Sequence, residues 1–211
     1  MPIENLTRDE AAARARLLDV HATTVELDLT GGEKTFGVTS RIEFSCAEPG
    51  VSTFLDATCV EVAEVVLNGT ALDLGEVVEE TRITLPGLAA ENTVTVRATM
   101  PYKHEGKGLH RFTDPGDDRV YLHSQFEPFD AHLVYPCFDQ PDLKTTFTLR
   151  VEAPAEWVCV SNEVCTSRPA AGAAGTWEFA TTPPISPYIT AIVAGAYAEY
   201  RFDRPSAVSY T

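Results

Sequence analysis

Residues 124–142, SQFEPFDAHLVYPCFDQPD, hold the groups in this sequence best placed to do chemistry. Gln125 and Glu127 stand two positions apart at the end of an expected strand, so both side chains point to the same side. A carboxylate beside a carboxamide can bind a primary ammonium, one supplying charge and the other an oriented acceptor. The plainer alternative makes Gln125 a surface strand residue and Glu127 a solvated loop residue. Pro128, Pro136 and Pro141 exclude a helix and interrupt any central strand. Phe126, Phe129, Leu133, Val134, Tyr135 and Phe138 are too many large apolar groups for an ordinary solvated loop. Asp130 and Asp139 read as loop-closing groups that accept backbone N–H bonds.

Other constellations are weaker. HEGKGLH, residues 104–110, superficially looks like a zinc-protease helix, but that chemistry needs two His one helical turn apart. His104 and His110 are six positions apart, and Gly106 and Gly108 would break the helix, so no metal site is expected there. His21, His123 and His132 have no second His at ligand spacing, and no nucleophile-elbow or phosphate-loop motif is present. Cys137 and His132 raise a Cys–His nucleophile pair; a small buried thiol between Pro136 and Phe138 is the preferred reading.

Composition narrows the partners. Sixteen basic and 31 acidic residues give a net charge of −15, which argues against a nucleic-acid backbone and an anionic membrane surface as ligands. The longest apolar run, ITAIVAGAYA, is too short to span a bilayer, and the charged N-terminus lacks a signal-peptide core, so a cytoplasmic protein is expected. Five cysteines, an odd number without a C-x-x-C pair, read as buried free thiols.

The elements that must position these groups are mostly strands. Thr7 and Glu10 form a capping-box signature ahead of one short helix, RDEAAARARLL. Beyond it the hydrophobic period is two: Val25, Leu27 and Leu29 alternate with polar residues, as do Phe36, Val38, Ile42 and Phe44. Asn68-Gly69 marks a hairpin between VAEVVL and TALDL. TRITLPG, NTVTVRATM, DRVYLHSQ, TTFTLRVEAP, EWVCVSN, GTWEFATT and YITAIVAG continue the pattern, with 166–176 as a hairpin tip. About a dozen short strands predict an all-β, antiparallel sandwich with one N-terminal helix. Alternation resumes at Val208 and Tyr210 and then stops, as it would in one part of something larger.

Residues 108–154 resemble the amino-terminal domain of zinc aminopeptidases of the aminopeptidase N type. The resemblance is carried by Gln125-Phe126-Glu127, by Asp130-Ala131, and by Pro136-Cys137-Phe138-Asp139-Gln140-Pro141 followed by DLKTTF. WVCVSN and SPYITAIVAGAY are similar to that domain's closing strands. His132 stands where the family mostly has Arg or Lys, which bears on any local ion pair but not on the placement of Gln125 and Glu127. The resemblance implies a saddle-shaped β-domain over 19–202, preceded by a helical arm over 1–18 and followed by the start of a connection over 203–211. It implies a neighbouring catalytic domain, absent from this sequence, that binds the zinc; this chain itself would hold none. It also implies peptide substrates with free N-termini, with Glu127 binding the α-amine and Gln125 lining the first specificity pocket.

Three readings follow: the amino-terminal domain of a zinc aminopeptidase, which is favoured; a stand-alone module that captures peptide N-termini; and a structural domain without catalysis. Two structural expectations accompany them. The Glu127–Pro128 peptide bond is expected to be cis, and Phe126, Phe129, Val134 and Tyr135 are expected to form an exposed apolar patch.

Overall fold

The computed structural model describes residues 6–199. Helix α1, Arg8–Leu17, opens with the expected capping box: the Thr7 hydroxyl accepts the Glu10 N–H (3.3 Å) and the Glu10 carboxylate accepts the Thr7 N–H (2.9 Å). This helix has no apolar stripe, and the one residue it buries is Arg14. It is attached to the β-domain by polar contacts instead. One is a 2.6 Å bond from Arg82 to Glu10, and Arg82 lies flat over the Phe54 ring at 4.0 Å.

The Arg82 bond, with help from the Thr7 N–H, lowers the Glu10 carboxyl from its ordinary value of 4.5 to about 2. A depressed acid contributes stability that is present above its unfolded value and lost as pH falls toward its folded one. The Glu10→Gln variant is therefore expected to be less stable than the parent at pH 7, with the gap closing between about pH 4.5 and 2. Melting temperatures of both proteins across that range check this; a constant gap would refute it.

The strands are β1 (Leu18–Asp28), β2 (Thr35–Cys46), β3 (Thr53–Asp56), β4 (Glu61–Leu67), β5 (Thr70–Ala71), β6 (Arg82–Leu85) and β7 (Glu91–Pro101). Then follow β8 (Gly108–Thr113), β9 (Val120–Gln125), β10 (Thr146–Ala153), β11 (Val158–Ser161), β12 (Cys165–Ser167), β13 (Gly175–Phe179) and β14 (Ile192–Gly195). They form an eight-stranded sheet in the order β12-β13-β10-β1-β2-β7-β4-β5, a four-stranded sheet β11-β14-β9-β8 and a pair β3-β6. The chain is all-β, as expected. Among the described residues every pairing between these strands is antiparallel except β1 with β10, which run parallel from Ala22↔Thr146 to Asp28↔Glu152.

Alternating residues of β1, β2 and β7, among them Val25, Leu27, Phe36, Ile42, Phe44, Val94 and Met100, enter one continuous core. The smaller sheets cover it with Leu55, Ile83, Leu109, Leu122 and Ile192. Asn68 and Gly69 turn the β4–β5 hairpin with φ of 52° and 81°, a left-handed pair that matches strand twist. The returning strand is shorter than TALDL suggests, because Asp73 caps a one-turn helix α2, Leu74–Val77. Residues 203–211 lie outside the described residues.

Candidate functional site

Strands β8 and β9 deliver Gln125. They pair from Gly108↔Gln125 to Thr113↔Val120. Gly108 has φ of 58°, and a Cβ there would sit 3.2 Å from Leu133 Cβ and 3.2 Å from Lys103 Cγ, so only glycine lets the loop pack against the strand end. Gln125 and Glu127 are both exposed, and neither side chain has a hydrogen-bond partner among the described residues. Between them Phe126 turns inward onto Tyr135, ring centroids 6.1 Å apart. The Asp130 N–H donates to Phe126 O at 2.9 Å, closing the turn that carries Glu127. The Glu127–Pro128 bond is cis, as expected.

The exposed patch expected at Phe126, Val134 and Tyr135 is not there. All three are buried within the domain, and Phe129 is half-buried against the His132 ring at 4.5 Å. The physical reason is that the irregular segment finds partners for its polar groups and can therefore sink between the sheets. Ser40 donates to Pro136 O at 2.7 Å, the Thr58 N–H donates to His132 O at 3.1 Å, and Asp56 exchanges two backbone bonds with Cys137 (2.8 and 3.1 Å). The Tyr135 hydroxyl meets Thr190 Oγ1 at 2.8 Å.

Asp139 closes the loop as expected, its carboxylate accepting the His132 N–H at 3.0 Å. The Asp130 carboxylate makes no such bond among the described residues, and burial raises its pKa against the pull of Lys107. His132 points Nδ1 at Asp139 Oδ2, 2.8 Å away, so the position keeps a hydrogen-bonding partner without Arg or Lys. This geometry also removes a Cys137–His132 nucleophile pair: the thiol is buried, and desolvation pushes its pKa well above the ordinary value. The free cysteines are not all buried; Cys165 is exposed.

Sequence reasoning missed two groups of residues. The first is a buried polar cluster under the loop, made by Arg14, Asp56, Asp139 and Gln140. The second lies on the outer face of the four-stranded sheet. Val160, Val193, His123 and His110 stand directly opposite one another across β11, β14, β9 and β8. Tyr121 and Phe112 form the next row on the same face, and Gln125 ends it. His110 and His123 rings lie 4.8 Å apart, and burial together with the neighbouring His123 and His104 lowers the His110 pKa. Val160 and Phe112 are 55 % and 48 % exposed, so this side of the sheet carries uncovered apolar area. The signal is present in the alternation of DRVYLHSQ, whereas in its partner strand Gly108–Thr113 it is broken by Arg111 and starts at a glycine.

No group of three His, Cys, Asp or Glu among the described residues could hold a metal ion, His104, Glu105 and His110 included. No helix among them is long and apolar enough to cross a membrane.

Comparison with known proteins matches residues 19–189 to the peptidase M1 N-terminal domain. Aminopeptidase N of Streptomyces lividans is 46 % identical over 200 residues, covering 93 % of this chain and 23 % of that protein. Aminopeptidase N of Canis lupus familiaris is 28 % identical over 208 residues, 85 % of this chain and 21 % of that protein. Aminopeptidase N of Acetobacter pasteurianus is 37 % identical over 108 residues, covering 49 % of this chain and 30 % of that protein. The chain thus spans about a quarter of the length of these relatives.

Proposed function

Because the chain belongs to the peptidase M1 N-terminal domain family, we propose that it is the amino-terminal substrate-anchoring domain of a cytoplasmic zinc aminopeptidase. Glu127 takes the α-ammonium of a peptide with a free N-terminus, and Gln125 lines the first specificity pocket. The observation that supports this reading is their placement: two unpartnered, exposed side chains held at one strand end by a loop that is buried over residues 131–140. A carboxylate so placed gains by pairing with a cation, and it has no competing internal partner to give up.

Zinc belongs, in this reading, to a neighbouring domain of the full-length protein, where it activates water for peptide hydrolysis. The outer face bearing Val160, His123, Tyr121 and Phe112 docks that domain. Gln125 ends the same face of β9 one row beyond His123 and His110, so covering that face brings the anchoring residues to the edge of the interface. The net charge of −15 fits peptide ammonium groups as ligands and opposes nucleic acid or an anionic membrane as partners.

The 211-residue chain by itself is expected neither to bind stoichiometric zinc nor to hydrolyse aminoacyl-arylamides. The full-length protein is expected to do both. Metal analysis and turnover on alanyl-para-nitroanilide, run side by side on the two purified proteins, check this. Tight one-to-one zinc in the short chain, or binding of peptide N-termini without turnover by the full-length protein, would count against the proposal.

A further inference from the structure

Amine anchoring does not account for the cluster beneath the loop. Arg14 is 3 % exposed on a helix with no apolar face. Its Nη1 donates to Asp56 Oδ2 at 2.8 Å and its Nε to Gln140 Oε1 at 3.0 Å, with the guanidinium 4.8 Å from the Phe54 ring centroid. Gln140 returns a bond to α1, Nε2 to Ala11 O at 2.9 Å. The Asp56 oxygen that meets Arg14 also accepts the Asp139 N–H at 3.0 Å. Asp139 in turn holds His132 through its N–H and Nδ1, and the His132 ring supports Phe129, two positions from Glu127. Each link from α1 to His132 is thus a direct contact between buried groups, and the last, to half-buried Phe129, ends two positions from Glu127.

We infer that Arg14 is a positioning residue for the candidate site: through Asp56 and Gln140 it fixes segment 126–140, and with it the direction in which Glu127 faces. This rests on the reading of Glu127 and Gln125 as substrate anchors. A planar fork is what the position requires, because two acceptors on different segments are met at once from one side chain. Lysine keeps the charge but gathers its three donors on one atom, so it cannot reproduce the spacing with which Nη1 reaches Asp56 and Nε reaches Gln140.

Hydrogen exchange and side-chain resonances of the isotope-labelled 211-residue chain test this in the parent, Arg14→Lys and Arg14→Met. In Arg14→Lys the amides of Asp130, Val134, Cys137 and Asp139 are expected to exchange at least about tenfold faster, as local opening becomes easier. The Glu127 carboxyl carbon and Gln125 side-chain amide signals are expected to move. Amides of Asn68 and Leu72 in the β4–β5 hairpin should stay within about twofold of the parent. Arg14→Met, where it folds, should show the larger change. Loop amides at parental rates would overturn the inference. So would equal acceleration in the hairpin of Arg14→Lys, or failure of Arg14→Lys to fold, since in the variant that keeps the charge each assigns Arg14 to the stability of the whole domain. Glu127→Ala should leave the loop amides at parental rates, so kinetics of Glu127 variants test the anchoring reading while exchange tests the coupling.

Discussion

Replacing Arg14 with Met is expected to lower folding stability by about 3–5 kcal/mol, the loss typical when one member of a buried ion pair is removed. The size follows from what is left behind rather than from the strength of the bond. The Arg14 and Asp56 side chains are 2 % and 4 % exposed, so Asp56 cannot recover its lost partner from water. Burial already raises the Asp56 pKa above its ordinary value despite the opposing pull of Arg14. Without the guanidinium that rise must grow, and the folded protein then binds a proton more readily than the unfolded chain. By linkage, the variant regains stability as pH falls through the raised pKa toward the ordinary value of 3.8. The gap between parent and variant should therefore be widest at neutral pH and narrow on mild acidification. Adding Asp56→Asn to Arg14→Met removes the stranded charge and should recover part of the loss. Thermal melts check all three: a fall in Tm of roughly 6–20 °C at pH 7, a smaller fall at pH 5, and partial recovery in the double variant. A loss under about 1 kcal/mol at pH 7, no more than a surface pair is worth, would show that Asp56 finds another partner.

That cluster also shows where sequence reading stops. Period-two alternation exposes β1, β2 and β7 because one face of each is buried and the other is wet along its whole length. The Asn68-Gly69 hairpin and the Thr7–Glu10 box are legible because their partners lie within a few residues. Arg14 is not legible. In RDEAAARARLL it looks like any solvated helix cation, and its burial is decided by Gln140, 126 positions away. The parallel β1–β10 pairing is hidden for the same reason, since only the assembled sheet places those strands side by side. Strand β3 is four residues long with three of them buried, too short for a period to declare itself. The Pro128 turn and the exposure of Gln125 and Glu127 beside it were legible. The fate of the surrounding aromatics was not, because it depends on acceptors and donors from Ser40, Asp56 and Thr58 in distant strands.

In the full-length protein, Glu127→Ala is expected to lower kcat/KM on substrates with a free N-terminus by roughly ten- to a hundredfold. An α-ammonium entering a closed site loses its water shell, and its charge must then be met by fixed acceptors. Losing one charge-assisted hydrogen bond from such a group costs about 1.5–3 kcal/mol. In the proposed reading Glu127 supplies that bond: it is exposed in the turn after β9, whereas Asp139 is committed to His132 and Asp130 carries a pKa raised by burial. The loop does not depend on the Glu127 carboxylate for its own structure, so the variant should fold and melt like the parent. Glu127→Gln keeps an acceptor and loses the charge, and should fall in the same direction by less. Gln125 is exposed at the last position of β9, and in the proposed reading it lines the first specificity pocket, so Gln125→Ala should shift preference among substrate side chains more than overall rate. Steady-state kinetics of the three variants on one set of aminoacyl-para-nitroanilides separate these effects. If Glu127→Ala stays within about twofold of the parent on every substrate while melting normally, well short of one charge-assisted bond, Glu127 is a solvated loop residue and the ammonium is held by the neighbouring domain alone.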